Sequence, residues 1–347
     1  MYTITKKDLY DLFLRLSEKN RVVVPYRKGD MYTFGDFDMK KESDIELGGI
    51  RQSEPIKSFI NHPREKVADP GGASGKNLII AGVKGCDLSS LSLQDFVFLK
   101  NPPEDPLYSE NRKNTTIIGV DCTLAKETCF CLAMEGVPYP RANFDICLTS
   151  FDDYFLVEIA TEKGKAIIME YKLFFKDAFP GDVKRRESTR ESIGKKVRSH
   201  IEKRATPDTS RIKGKVKEHY NLTALWQDVS STCVECGACN LVCPTCHCFL
   251  LFDDKPKTGG NRRYRTWDAC LYKSFARVAG GANPRKHLYE RMRNRFDKKF
   301  SYFPEVMNYF SCTGCGRWID ACIGDIDIRE VLKGLASGET WNKLPHE

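Results

Sequence analysis

The 347-residue chain lacks the long apolar segments that membrane insertion and secretion require. No apolar run approaches the roughly 18 residues that a membrane-spanning helix needs. The amino terminus, MYTITKKDLYDLF, has no continuous apolar stretch of the kind that forms a secretory signal. We therefore expect a cytoplasmic protein without membrane association, and structural disulfide bonds are rare in that compartment.

Sequence signals for a nucleotide cofactor are also missing. No G-x-G-x-x-G segment follows a predicted strand, so we expect neither NAD nor flavin to bind to this chain. The six histidines do not cluster at the spacing of a zinc site. The net charge of +8 is modest for a chain of this length, and we interpret it as a solvated surface rather than as a nucleic-acid-binding one.

Cysteine, in contrast, is abundant. The chain has 15 cysteines, an odd number that excludes complete internal pairing. Cytosolic cysteines at this density usually bind metal or carry out redox chemistry. None occurs between Cys147 and Cys233, and this gap contains a strongly basic stretch rich in turn-forming residues. The distribution therefore indicates two cysteine-bearing regions separated by a linker.

The predicted fold class is α+β, with an N-terminal α/β-type domain and a mostly helical, ferredoxin-like dicluster domain. We assign the first domain to residues 1–180, a basic linker to 181–217 and the second domain to 218–347. Alternating helix and strand signals characterise the first domain. Its predicted strands cover residues 21–26, 77–83, 115–120 and 154–160. In the second domain, residues 240–252 and 267–279 are predicted to be helices.

The most specific motif is C-x2-C-x2-C-x3-C-P, formed by Cys233, Cys236, Cys239 and Cys243 with Pro244. This is the spacing of a bacterial-type 4Fe–4S loop, and in paired motifs the fourth cysteine ligates the other cluster. A zinc site also uses C-x2-C pairs, but four cysteines in one compact run before a proline fit iron–sulfur better. We therefore predict an iron–sulfur centre here.

A second group, Cys312, Cys315 and Cys322, repeats this spacing, but Trp318 stands where the third cysteine is expected. Exchanging the fourth cysteines gives a complete ligand set for a first 4Fe–4S cluster. This set consists of Cys233, Cys236, Cys239 and Cys322.

The second cluster is left with Cys243, Cys312 and Cys315. Three outcomes are open: a neighbouring cysteine supplies the fourth thiolate, the cluster is 3Fe–4S, or the site holds nothing. We favour Cys246 as the fourth ligand because it follows Cys243 closely, with Cys248 and Cys270 as alternatives.

Cysteines of the first region suggest an additional 4Fe–4S cluster. Cys86 and Cys122 each follow a predicted strand, and Cys129 and Cys131 lie in the loop beyond the second of these strands. Because the carboxyl ends of parallel strands share one edge of a sheet, four thiols could converge there. The alternative is that these cysteines are small buried side chains. Cys147, in a predicted strand, is assigned to the core.

The pattern as a whole resembles the iron–sulfur protein family shared by the anaerobic sulfite reductases and the cytoplasmic sulfhydrogenases, in which it forms the beta subunit. The resemblance covers most of the chain. It is carried by GVKGCDL at 82–88, CFC at 129–131, CPTCHC at 243–248, RTWDAC at 265–270, AGG at 279–281 and CTGCGR at 312–317. This sequence departs from the family at Trp318, where the family has cysteine.

The resemblance implies an electron-transfer subunit that carries two to three 4Fe–4S clusters and has no catalytic residue of its own. Its partners would be a flavoprotein subunit linked to NAD(P)H or ferredoxin, and a terminal reductase or hydrogenase subunit. One alternative is a catalytic subunit of a disulfide-reductase-like complex that uses Cys246, Cys248 and Cys270. Another is a zinc-stabilised module that binds nucleic acid.

One basic segment has two interpretations. Residues 285–299 contain seven arginines and lysines: Arg285, Lys286, Arg291, Arg293, Arg295, Lys298 and Lys299. Such a segment forms either a solvated helix face, or a surface that docks a partner or donates hydrogen bonds to cluster sulfides and raises the cluster's potential.

Overall fold

A computed structural model describes residues 1–67, 77–255 and 262–338. The chain forms two compact units. The N-terminal unit comprises Met1–His62, Lys66–Glu127 and Gly136–Val197, and the C-terminal unit comprises Pro63–Glu65, Thr128–Glu135 and Arg198–Glu347. The predicted assignment of 1–180, 181–217 and 218–347 stays a prediction. Each unit is described by itself below.

The described residues form eleven strands. They are β1 (Tyr2–Thr5), β2 (Arg21–Lys28), β3 (Met31–Asp36), β4 (Arg64–Lys66), β5 (Leu78–Val83), β6 (Thr115–Val120), β7 (Ile146–Ser150), β8 (Tyr154–Ile159), β9 (Lys176–Asp177), β10 (Phe249–Asp254) and β11 (Arg262–Trp267). The four strands predicted for the first domain are confirmed as β2, β5, β6 and β8, with ends that differ by two residues or fewer.

The described helices number fourteen. They are α1 (Lys6–Lys19), α2 (Lys57–Ile60), α3 (Gly85–Asp95), α4 (Pro106–Asn114), α5 (Glu162–Glu170), α6 (Pro180–Lys203), α7 (Thr209–Ile212), α8 (Lys215–Glu218), α9 (Thr223–Val229), α10 (Ala238–Leu241), α11 (Leu288–Asp297), α12 (Phe303–Met307), α13 (Arg317–Ala321) and α14 (Ile328–Ser337). Within the described part of the chain, no helix combines the length and apolarity needed to cross a membrane.

The N-terminal unit is built on a mixed eight-stranded sheet in the order β3-β2-β5-β6-β7-β8-β1-β9. The pairs β2–β5, β5–β6 and β6–β7 are parallel, and the outer pairs are antiparallel. Helix α1 begins with Thr5 as its cap, whose hydroxyl accepts a hydrogen bond from the Asp8 amide at 3.1 Å. Its buried face, Leu9, Leu12, Phe13 and Leu16, joins one apolar core of the sheet. Buried residues of α3 and α4 join a second core.

In the C-terminal unit, short helices surround an apolar core that contains Trp226, Met292, Phe296, Phe300 and Leu332. Helix α11 continues through a π turn, Lys298–Tyr302, directly into α12. Single π turns inside helices are often found at functional sites, because they redirect side chains. This turn points Lys299 and Phe300 into the interior, where both are buried.

The helices predicted at 240–252 and 267–279 are wrong. Instead, β10 and β11 form an antiparallel hairpin, and β11 also pairs with β4. The run Phe249–Asp254 is rich in residues that favour strands, and Arg262–Trp267 offers an alternating partner. A helix at 240–252 is also excluded by the Pro244 that follows Cys243, so α10 ends at Leu241. Beyond Trp267 the chain continues in turns, with Ala276 at a φ of +62°.

Candidate metal centres

The four cysteines predicted to hold the first cluster line a single recess in the C-terminal unit. Cys233, Cys236, Cys239 and Cys322 surround about 330 Å³ of space that is partly open to solvent. The remaining wall is mostly apolar and includes Val234, Leu271, Met292, Trp318, Ile323 and Ile326. None of the described residues that line this recess is charged. The recess is thus a thiol-lined, apolar pocket.

The first recess lies close to the surface. Val234 and Ile323 on its wall are 59 % and 72 % exposed, and Cys236 is also exposed. The amide of Ile326 donates a hydrogen bond to the Cys322 sulfur at 3.3 Å. Burial raises the pKa of the Cys239 thiol to about 12. A metal therefore has to displace a proton from this buried thiol, as is usual for thiolate ligation.

Glycines allow both cysteine loops to turn tightly before a short helix. Gly237 precedes α10 and Gly316 precedes α13, with φ values of +71° and +76°. A Cβ at Gly237 would lie 2.5 Å from the ring of Tyr272, and one at Gly316 would lie 2.4 Å from the carbonyl oxygen of Thr128. Both positions thus need glycine for the backbone conformation and for space. The two loops are built alike, as their matching cysteine spacing predicts.

A second recess contains the three cysteines left over by the first set. Cys243, Cys312 and Cys315 line about 350 Å³ of space, together with Phe130, Arg295, Lys299, Thr313, Gly316, Trp318 and Ile328. Burial raises the pKa of the Cys312 thiol to about 12, although the charge of Lys299 opposes this. The second recess differs from the first in having two cationic side chains in its wall.

Both of these cations are buried and directed at sulfur. The Lys299 ammonium group donates to the Cys243 sulfur at 3.3 Å, to Thr245 Oγ1 at 2.9 Å and to the Ser311 carbonyl at 2.8 Å. Arg295 donates to the Cys246 sulfur at 3.3 Å and to the Cys239 carbonyl at 2.9 Å. Buried cations are normally paired with anions, so this arrangement fits a recess that holds negative charge.

Trp318 occupies the boundary of both recesses. It is 6 % exposed and contributes to the wall of each one. Its ring centroid lies 5.4 Å from that of Phe296, and the Arg295 guanidinium lies 4.0 Å above the indole. The side chain that replaces the expected cysteine therefore fills space in the core and forms a cation–π contact.

The candidate fourth ligands of the second cluster lie at different places. The thiols of Cys243 and Cys246 are hydrogen-bond partners, and this bond lowers the pKa of Cys243 while it raises that of Cys246. Cys270 is buried, and its sulfur accepts a hydrogen bond from the Asn240 amide at 3.0 Å. Cys248 directly precedes β10, and its carbonyl accepts a hydrogen bond from the Asp268 amide at 2.9 Å. Of the three candidates, Cys246 is the one placed against Cys243.

The cysteines of the predicted additional cluster are divided between the two units. In the N-terminal unit, β5 and β6 are parallel neighbours, and Cys86 and Cys122 follow their carboxyl ends. The buried Lys84 side chain lies nearby, bonded to backbone carbonyls. Burial lowers the pKa of Lys84, while the neighbouring Cys122 and Asp121 oppose this. Cys129 and Cys131 belong to the C-terminal unit. The four-cysteine cluster stays a prediction.

Cys147 lies in β7, paired with β6 and β8, and is 1 % exposed. Burial raises the pKa of its thiol well above the ordinary value. This placement confirms the assignment of Cys147 to the core.

The donor set fits iron–sulfur clusters better than single ions. Among the described residues, no three His, Cys, Asp or Glu side chains converge as the ligands of one metal ion do. The thiols surround recesses instead, and this is what a multi-iron cage requires, because its irons and sulfides occupy the space between the thiolates. Sequence reasoning included Arg295 and Lys299 in a basic segment but could not distinguish them from its exposed members. Their burial is a consequence of tertiary packing.

Comparison with known proteins supports this interpretation. Residues 232–326 match the family model described as a 4Fe-4S dicluster domain. Sulfhydrogenase 2 subunit beta of Pyrococcus furiosus is 31 % identical over 336 residues, which covers 94 % of this chain and 96 % of the relative. No solved structure matches the chain. The match confirms the resemblance inferred from the motifs. The chain belongs to the family of sulfhydrogenase beta subunits and is an iron–sulfur electron-transfer protein.

Proposed function

We propose that this chain is the electron-transfer subunit of a sulfhydrogenase-like complex in the cytoplasm. It would relay single electrons between a flavoprotein subunit, linked to NAD(P)H or ferredoxin, and a terminal reductase or hydrogenase subunit. The observation that carries the proposal is the pair of cysteine-lined recesses that share Trp318 in their walls. Bound 4Fe–4S clusters supply reversible one-electron chemistry, with potentials set by charge, hydrogen bonds and burial.

The residues of the first recess have distinct roles in this proposal. Cys233, Cys236, Cys239 and Cys322 would hold the first cluster. The apolar side chains of Leu271 and Met292 would keep water away from it, since both belong to the wall. With all four positions of a cluster occupied by thiolates, no metal position is open to a substrate. This supports electron relay rather than catalysis at the first recess.

For the second recess we propose Cys243, Cys312 and Cys315 as ligands, with Cys246 as the fourth. The hydrogen bond between the thiols of Cys243 and Cys246 supports this choice. Replacing Cys246 by Ser in the full chain should convert the second cluster to a 3Fe form, which gives a distinct signal in EPR of the oxidised protein. If Cys246→Ser leaves the spectrum unchanged and Cys248→Ser or Cys270→Ser produces that signal, the fourth ligand has been assigned incorrectly.

The relay proposal is tested by isolating the chain with its companion subunits under anaerobic conditions. The isolated material should be brown, and its broad visible absorbance should bleach on reduction. A flavoprotein and a terminal reductase or hydrogenase should copurify with it. A colourless protein with stoichiometric zinc would instead favour the nucleic-acid-binding module. The dicluster match argues against that alternative.

Relay and catalysis are distinguished by serine substitutions in the assembled complex. In a relay, replacing Cys246, Cys248 or Cys270 affects turnover only as far as it changes cluster content. In a disulfide-reductase-like catalyst, one of these substitutions abolishes turnover while iron and sulfide remain at wild-type levels. Cys147→Ser is a suitable control, because this cysteine lies in the core of the N-terminal unit.

A further inference from the structure

The two recesses differ in charge, and the difference depends on one side chain. The described lining of the first recess is uncharged, whereas Lys299 and Arg295 line the second. Arg295 also contacts the backbone of Cys239, a member of the first set, so it lies near both recesses. Lys299 contacts only groups of the second: Cys243, Thr245 and Ser311. Lys299 is thus the cation specific to the second recess.

The environment of Lys299 is unusual among the buried cations of the C-terminal unit. Buried Arg265, Arg291 and Arg329 are paired with the carboxylates of Glu65, Glu235 and Asp327. Lys299 is 4 % exposed, and no described carboxylate lies within ion-pair distance of it. Its ammonium group is satisfied by a thiol sulfur, a hydroxyl and a carbonyl oxygen. An isolated ammonium group is costly to bury, so an anionic occupant of the recess would provide its missing counter-charge.

Burial disfavours the charged form of Lys299, yet the neighbouring sulfurs of Cys243 and Cys246 outweigh burial and raise its pKa above the ordinary value. Lys299 therefore carries its charge throughout the neutral range. A fixed positive charge in a low-dielectric interior interacts strongly with nearby charge, because little water screens it.

Each reduction adds one negative charge to a cluster. A nearby cation stabilises the reduced form more than the oxidised form, and a hydrogen bond to a ligand sulfur acts in the same direction. We infer that Lys299 is a positioning residue that raises the reduction potential of the second cluster above that of the first. This inference rests on the proposed function. It assigns the second recess as the place where an electron resides once it has entered the pair.

The inference is tested by redox titration of the anaerobically purified full chain, with dithionite as reductant and EPR as the readout. The variants are Lys299→Met, which removes the charge at similar volume, and Lys299→Arg, which keeps it. Lys298→Met is the matched control, because Lys298 is the exposed neighbour on the same π turn. Iron and acid-labile sulfide are measured for every variant.

We expect Lys299→Met to shift one of the two midpoint potentials to a more negative value and to leave the other unchanged. Lys299→Arg should retain most of the wild-type value, and Lys298→Met should leave both midpoints in place. If Lys299→Met loses the second cluster, Arg295→Gln provides the same test, with a larger negative shift at the second cluster than at the first.

The inference is overturned if both clusters are retained and neither midpoint moves, or if the midpoint moves to a more positive value. In that case Lys299 only holds the carbonyl of Ser311 and the hydroxyl of Thr245 in place. Absence of iron and sulfide from the wild-type chain would instead reject the proposed function. The two failures are therefore distinguishable.

Discussion

Substitution of Trp318 tests whether this side chain stands at a ligand position of the second recess. Trp318 is 6 % exposed, contacts Phe296 and lies under the Arg295 guanidinium. Truncating a buried Trp to Ala costs roughly 3–5 kcal/mol. The lost cation–π contact, which is part of that loss, accounts for about 0.5–2 kcal/mol. For a unit of this size, about 2–4 °C of melting temperature is lost per kcal/mol, so Trp318→Ala should melt roughly 6–20 °C below the wild type.

Trp318→Cys removes the same indole but introduces a thiol at the position where the motif predicts one. If that position faces the cluster, the new thiolate offsets part of the packing loss. Trp318→Cys should then melt above Trp318→Ala when both holoproteins are compared by circular dichroism under anaerobic conditions.

The clearest readout combines this change with Cys246→Ser. The single Cys246→Ser variant should lose about one iron per chain, because a 3Fe–4S cluster needs only three thiolates. The double variant with Trp318→Cys should recover that iron and lose the 3Fe EPR signal. The reasoning is refuted if Trp318→Cys melts like Trp318→Ala and restores no iron in the Cys246→Ser background.

Three further predictions concern the surroundings of the recesses. Gly237→Ala should lower the iron content, because its φ is +71° and its Cβ would collide with a ring, whereas Gly214→Ala, at +79° but in open space, should retain full iron; equal loading of both variants would count against the role of Gly237. Arg265→Met breaks a buried ion pair and should destabilise the protein by about 3–5 kcal/mol in thermal unfolding. The exposed pair of Arg263 should contribute less than about 1 kcal/mol, and similar losses for the two variants would contradict this reasoning. Cys86→Ser should remove about four irons per chain if the additional cluster exists, and unchanged iron would show that this cysteine is not a ligand.

Much of the N-terminal unit was predictable from local patterns. Val-rich and Ile-rich runs identified β2, β5, β6 and β8, because such side chains favour strands. The order of the strands was not predictable, since it depends on pairing between distant segments. The parallel contact of β5 with β6, which brings the positions after both strands to one sheet edge, became evident only in the fold.

In the C-terminal unit, cysteine spacing indicated the chemistry, but local patterns gave the wrong secondary structure. The apolar run at 249–252 has helix-compatible residues, and its strand conformation depends on pairing with Arg262–Trp267. Similarly, the sequence of the basic segment does not reveal which of its cations are buried. Lys298 is exposed and Lys299 is buried because the π turn redirects the second toward the recess.

The central claim is that both cysteine-lined recesses hold iron–sulfur clusters. It is tested most directly by measuring iron, acid-labile sulfide and zinc in the full chain isolated without exposure to air. We predict about eight irons with a similar amount of sulfide for two clusters, or about twelve of each with the additional cluster. Iron and sulfide near zero, with stoichiometric zinc, would contradict the account.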